Sequence, residues 1–100
     1  MAEPILITRA DVLAGAARRL RQHFGPRLSE LFALFDEKSD ADELHLIAIV
    51  NSPVDLFVEV GFTAQLTGEL YDAYGYFVTT HLVKPTGDLA ELARSEGVLL

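Results

Sequence analysis

Two strongly apolar segments with an acidic segment between them constrain the fold of this chain more than any other feature. Residues 31–35 and 44–50 each have the composition of a β-strand, and nearly every position in both is apolar. Strands of this kind are buried on both faces, so we predict that they pair in the middle of a sheet. Five carboxylates and one lysine lie in or beside the intervening loop: Asp36, Glu37, Asp40, Asp42 and Glu43, with Lys38. Carboxylates at the mouth of a central strand pair are typical of a metal or phosphate site in an α/β protein.

The length and composition predict one soluble domain over residues 1–100. Half of the residues are apolar, which is enough to build a core without a covalent staple. The chain has no cysteine, so disulfides and thiolate metal sites are excluded, as is typical of a protein of the reducing cytoplasm. No apolar run is longer than the one at residues 46–50, which is far shorter than the ~20 residues that span a bilayer, and no signal pattern opens the chain.

The charge balance disfavours nucleic acid as a partner. The formal net charge is -7, from eight basic and fifteen acidic residues, whereas binding to DNA or RNA depends on neutralising phosphates. Four arginines fall within ten positions: Arg18, Arg19, Arg21 and Arg27. They form either a local patch for one phosphate or an acidic partner, or the solvated face of a helix.

Periodicity and turn residues give the order of the elements. Apolar residues at helical spacing after Thr8 predict a helix that ends at Gly25 and Pro26. Gly61 and Gly68 inside the second helix predict a kink or a close packing contact. The predicted elements are helix 8–24, strands 31–35 and 44–50, helix 54–74, strand 76–83 and helix 88–96, with residues 1–7 as an edge strand or an extended arm and 97–100 as an apolar tail. The order α-β-β-α-β-α predicts an α/β (α+β) fold with helices packed on a mixed sheet of three to four strands.

Several stretches of the sequence carry a family resemblance. In order along the chain they are RLRQHFGPRLSELFALF, an acid-rich turn, DELHLIAIV, ELYDAYGYFV and RSEGVLL. This succession resembles the minimal nucleotidyltransferase domains of bacteria and archaea, in which a helix precedes a strand, a Gly-Ser phosphate-binding turn and a second strand with two aspartates one residue apart. The resemblance implies the fold of that family over nearly the whole chain.

The residues that perform catalysis in that family are replaced in this chain. No glycine lies between Gly25 and Gly61, so the Gly-Ser turn is missing. Glu43 and His45 occupy the positions of the paired aspartates, whose carboxylates would hold Mg²⁺ on one face of the strand. Imidazole suits Zn²⁺ better than Mg²⁺. The third carboxylate expected from a later strand is absent from residues 76–83.

The resemblance therefore implies a catalytically degenerate domain that needs no cofactor and acts as a protein-binding or regulatory subunit. In the family, such domains are often encoded beside a small helical protein of the HEPN type, which implies an antitoxin-like role here, and the apolar surface suits a homodimer. The alternative is an enzyme with an altered Mg²⁺ or Zn²⁺ site, built from Glu43, His45 and His81, that acts on a nucleotide or phosphate substrate. A plain structural α/β module, with both histidines simply hydrogen-bonded on their strands, is the third reading.

Overall fold

A computed structural model describes residues 9–34, 43–51 and 56–100 of the chain. The predicted order of helices and strands is confirmed. The elements are α1 (Arg9–Phe24), a 3₁₀ turn (Gly25–Arg27), β1 (Leu28–Leu34), β2 (Glu43–Val50), α2 (Leu56–Tyr74), β3 (Phe77–Val83), α3 (Asp88–Glu96) and β4 (Val98–Leu99). The acidic loop and the predicted N-terminal strand or arm lie outside the described residues.

The strands form one mixed sheet in the order β3-β2-β1-β4. β1 is antiparallel to β2, with Leu34 opposite His45, and β2 is parallel to β3, with His45 opposite Thr79. β4 pairs with β1 through only two positions and occupies part of the segment that the sequence suggested to be an apolar tail. The prediction of a mixed sheet with three to four strands is therefore confirmed, and β1 and β2 are its two central strands.

Two crossover connections place helices on opposite faces of the sheet. The chain passes from β2 through α2 to the adjacent β3, and then from β3 through α3 back across the sheet to β4. β2, β3 and β4 run in the same direction, because β2 and β4 are both antiparallel to β1. Crossovers between parallel strands share one handedness, so two that move in opposite directions must cover opposite faces. As a result, α2 packs with α1 on one face and α3 covers the other.

The two faces of β2 enter two separate cores. Leu44, Leu46, Ala48 and Val50 pack under α1 and α2, together with residues of β1 and β3. Ile47 and Ile49 point the other way, into a smaller core with Phe32 of β1 and two alanines of α3. A strand covered on both faces needs apolar residues at consecutive positions, which explains the uninterrupted run that the sequence shows.

Of the kink or close packing contact predicted at the glycines of α2, the close contact is wrong and the kink stays a prediction. No atom of the described residues lies within 4 Å of the position that a Cβ would occupy at Gly61 or Gly68, and both residues are exposed. The close approach lies in α1 instead, where a Cβ on Gly15 would meet the hydroxyl oxygen of Tyr74 at 2.9 Å. Gly75 ends α2 as predicted, with a φ of 79° that favours glycine.

Candidate functional site

His45 and His81 lie side by side on the face of the sheet that α3 covers. In the parallel register of β2 and β3, His45 pairs with Thr79 and His81 pairs with Ile47. The two histidines are therefore diagonal neighbours on adjacent strands, and their side chains point to the same face. Nδ1 of His45 lies 3.4 Å from Nε2 of His81. Two residues that are 36 positions apart in the sequence thus share one site, as the metal-site hypothesis required.

The orientation of the two rings decides what this pair can do. The ring centroids are 5.7 Å apart and the ring planes differ by 23°. With the two nitrogens 3.4 Å apart, this is the largest centroid distance that the size of the rings allows. It is reached only when the two nitrogens lie between the centroids and point at each other. A zinc ion midway between them would lie closer to both nitrogens than the ~2.0–2.1 Å of a zinc–imidazole bond. The pair as placed is therefore a hydrogen-bonding contact, with one ring nitrogen donating and the other accepting, and metal binding would require both rings to turn.

A pocket of about 360 Å³ opens beside the imidazole pair. Its other walls are Leu34 of β1, Ile47 of β2, and Leu89, Leu92 and Glu96 of α3. Burial in this pocket lowers the pKa of His81 from its ordinary value, and the nearby charge of His45 lowers it further. An apolar pocket with a few polar groups at one end is typical of a binding site for a small molecule or a protruding side chain.

The remaining predicted metal ligand cannot be placed. The backbone of Glu43 belongs to β2, but its side chain lies outside the description, as do the carboxylates of the loop before it. Among the described residues, no three histidine, aspartate or glutamate side chains come close enough together to hold a metal ion. The three-residue site of Glu43, His45 and His81 therefore stays a prediction, and only its two histidines are in contact.

The four clustered arginines fall into different surroundings. Arg19 forms an ion pair with Glu69 of α2. Arg27 lies over the ring of Phe24 and reaches Glu59 of α2 at 3.9 Å. Arg21 donates a hydrogen bond of 2.6 Å to the main-chain oxygen of Leu100.

Arg18 and Arg21 border a second open groove, which runs along α1 and has a volume of about 420 Å³. Apart from the two arginines, small and apolar side chains line it: Ala10, Leu13, Ala14, Ala17 and Leu100. No hydrogen bond or ion pair joins Arg18 to another residue within the described ranges. The groove therefore combines an apolar floor with positive charge at one side, which suits an apolar segment that carries acidic residues.

A third cluster, which the sequence analysis did not identify, centres on Glu59. This residue of α2 is only 6% exposed and is the one buried charged side chain in the described part of the chain. Its carboxylate accepts a hydrogen bond of 2.7 Å from Nε2 of His23, whose ring is stacked on Phe62 at 3.7 Å. The sequence contained a signal for it, since Glu59 is three, seven and eleven positions before apolar residues of the core stripe of α2. The cluster joins the end of α1 to the beginning of α2.

Comparisons with family models, with curated proteins and with solved structures find no match to this chain. The resemblance to minimal nucleotidyltransferases therefore stays a prediction that rests on the residues quoted above. None of the helices that the structure describes is both long and apolar enough to cross a membrane.

Proposed function

We propose that the protein is a non-catalytic, nucleotidyltransferase-like subunit that binds another protein. The observation that supports this most is the His45–His81 contact. At the strand position where the resemblance places a metal-binding aspartate, the side chain is an imidazole that faces a second imidazole 3.4 Å away. Phosphoryl transfer needs carboxylates that hold Mg²⁺ around the substrate phosphates. The imidazole pair is a poor set of ligands for a hard cation, and the described wall of the pocket adds a single carboxylate, Glu96.

The groove on α1 is the surface that we assign to the partner. Ala10 and Ala14 are exposed one helical turn apart, and their small side chains allow another helix to approach closely, with the buried Ala17 in the floor of the groove. Arg18 and Arg21 beside them can pair with carboxylates of the partner. The proposed partner is therefore a helical protein with acidic residues next to an apolar stripe, and the resemblance suggests a small helical protein of the HEPN type in an antitoxin-like arrangement.

Capture of the partner from the native cells tests this proposal. Ala14→Trp fills the groove, and we expect it to abolish capture of a helical protein that the unmodified chain retains. Ala73→Trp is the matched control, because Ala73 is also exposed on a helix but lies outside the groove. Equal capture by both variants would remove the groove from the proposal, and recovery of the chain with no other protein would overturn the binding role.

Calorimetric titration with Mg²⁺-ATP tests the non-catalytic part separately. We expect no binding heat, because the described wall of the pocket offers imidazoles, aliphatic groups and only one carboxylate, Glu96, for holding Mg²⁺ and phosphates. Tight nucleotide binding that disappears in Glu43→Ala would contradict a non-catalytic role.

A second candidate is an enzyme with an altered metal site at Glu43, His45 and His81 that acts on a nucleotide or phosphate substrate. The specific observation in its favour is that two imidazole nitrogens lie 3.4 Å apart at an open pocket, so that rotation of both rings would let them bind one ion. Titration with Zn²⁺ distinguishes the two candidates. Binding that is lost in both His45→Gln and His81→Gln would favour the enzyme, and the absence of Zn²⁺ binding would remove it.

A further inference from the structure

The outer edge of β3 is an unusual feature of this sheet. β3 is the last strand on its side, and no strand among the described residues pairs with its outer edge. Its seven residues, Phe77–Val83, include no charged residue and no proline. Soluble proteins normally protect an edge with charges, proline, bulges or a very short strand, because unpaired main-chain groups bind other strands. β4, at the opposite edge, has only two residues and fits that pattern.

The side of α2 next to this edge is also uncharged. Val60, Ala64, Thr67 and Tyr71 follow one another at helical spacing. Thr67 donates a hydrogen bond of 2.8 Å to the main-chain oxygen of Val78, which places this stripe beside β3. The opposite side of α2 is the one that contacts α1, through Phe62 and Glu69.

Three large apolar side chains beside this edge are exposed. Val60 is 59% exposed, Tyr71 57% and Phe77 50%. Val60 and Tyr71 lie on α2, whereas the side chain of Phe77 points to the α3 face of the sheet, because it alternates with Val78 of the core under α2. Exposed apolar side chains therefore flank the unpaired edge of β3 on both faces, which favours a binding surface.

We propose that two copies of this chain pair antiparallel along the β3 edge, about a twofold axis at Thr80, so that their sheets become continuous. The sequence of β3 is complementary to itself in this register. Phe77 meets Val83, Val78 meets Leu82, and Thr79 meets His81, so apolar residues face apolar residues and polar residues face polar ones. Moving the axis by one residue in either direction would leave residues at one end of β3 without a partner in the β3 of the second copy. This surface differs from the α1 groove assigned to another protein.

Thr80, the residue at the proposed axis, has a polar atom without a partner among the described residues. Its hydroxyl oxygen is shielded from solvent and has no hydrogen-bond partner in the part of the chain that the structure describes. A buried hydroxyl without a partner is unfavourable and uncommon. With the axis at Thr80, this residue faces the Thr80 of the second copy at the separation of a cross-strand pair. Because its own chain covers the hydroxyl oxygen, the two hydroxyls can hydrogen-bond there only after the side chains rotate.

The charge distribution also favours a second copy at this edge. Each chain has a net charge of -7, so two copies repel one another at long range. β3 and the adjacent stripe of α2 bring no charged residue of either copy into the contact. We therefore expect the dimer to become tighter as salt increases, since salt screens the remaining repulsion.

Sedimentation velocity measures the association directly. The expected species is a dimer, with twice the 11.0 kDa mass of one chain. Val60→Lys combined with Tyr71→Lys places like charges on both sides of the interface at exposed positions, and should raise the dimer dissociation constant roughly tenfold or more. Leu92→Lys is the matched control, because Leu92 is an exposed apolar residue of α3 on the other face of the sheet, and it should leave the dimer intact.

Disulfide formation tests the register, because the natural chain has no cysteine. Thr80→Cys should give a covalent dimer on mild oxidation, since a residue on the axis lies within disulfide reach of its own copy. Lys84→Cys should not form this disulfide. Residue 84 lies four positions from the axis in each copy, on opposite sides of it, so the two sulfurs are separated by roughly 26 Å at the rise of an extended strand. A protein that stays monomeric at high micromolar concentration would overturn the proposal. Coverage of the edge by residues 1–8 of the same chain would give that result. So would equal cross-linking of the two cysteine variants.

Discussion

Replacing Glu59 with glutamine removes the one buried charge in the described part of the chain and leaves a side chain of nearly the same shape. The Glu59 side chain is 8% exposed and accepts a hydrogen bond of 2.7 Å from His23, with Arg27 at 3.9 Å. Glutamine can still accept from His23, but the bond is no longer assisted by charge, and Arg27 loses its nearest carboxylate.

The size of the effect follows from these contacts. A hydrogen bond to a charged group contributes ~1.5–3 kcal/mol to stability, and a neutral one contributes ~0.5–1.5 kcal/mol. The difference indicates a loss of about 1.5 kcal/mol in the free energy of unfolding. For a chain of 100 residues this corresponds to a fall in Tm of roughly 6–12 °C. Urea unfolding followed by circular dichroism, with a thermal melt of the same samples, measures both quantities.

Glu30→Gln provides the matched control. Glu30 makes a bond of similar length, 2.9 Å, to Arg94, but the two side chains are 37% and 39% exposed. Exposed ion pairs contribute only ~0.2–1 kcal/mol, because water competes for both partners. The loss from Glu59→Gln should therefore clearly exceed the loss from Glu30→Gln. Equal losses would refute the argument that burial makes the cluster at Glu59 important for joining α1 to α2.

Two further predictions concern the imidazole pair and the helix glycines. Because the pKa of His81 is lowered in the folded protein by burial and by the charge of His45, the unfolded chain takes up a proton first. Stability should consequently fall as the pH drops below about 6.5 toward the lowered value, and Tm measured against pH should fall less steeply in His81→Gln. Gly61→Ala and Gly68→Ala should each stabilise the protein by about 0.5–1 kcal/mol in urea unfolding, because both positions are helical and open. Gly15→Ala should give a smaller gain or a loss, since the new methyl group would meet a tyrosine hydroxyl oxygen at 2.9 Å; equal gains at all three glycines would contradict this reasoning.

The fold could be predicted largely from local patterns. The run of apolar residues in β2 indicated a central strand, and Gly25 and Gly75 indicated where two helices end. These features depend on residues that are close in the sequence, so they can be recognised without knowing the tertiary structure. The start of β1 was less accurate: the strand begins at Leu28 and not at Leu31, because residues 28–30 alternate in exposure and contain a register irregularity.

The candidate site could be predicted only in part. The sequence selected His45 and His81 as possible partners, and the structure places them in contact. It did not select Glu59 although the spacing to the apolar stripe of α2 was a signal, because the partner of its carboxylate, His23, lies on a different helix 36 positions away. The arginines looked like one cluster, but a helix distributes neighbouring residues around its axis, so that two of the four pair with carboxylates of α2 and two border a groove.

The sequence by itself determined the type and order of the elements and the central position of the strand that carries His45. Only the tertiary structure decided that a ring nitrogen of His45 points at a ring nitrogen of His81. It also decided that β4 forms one edge of the sheet and that, among the described residues, no strand pairs with the outer edge of β3. The physical reason is that turns and apolar periodicity act over a few residues, whereas strand register depends on crossovers that join distant segments. A change of one residue in the β2–β3 register would turn His81 to the opposite face and remove the imidazole pair.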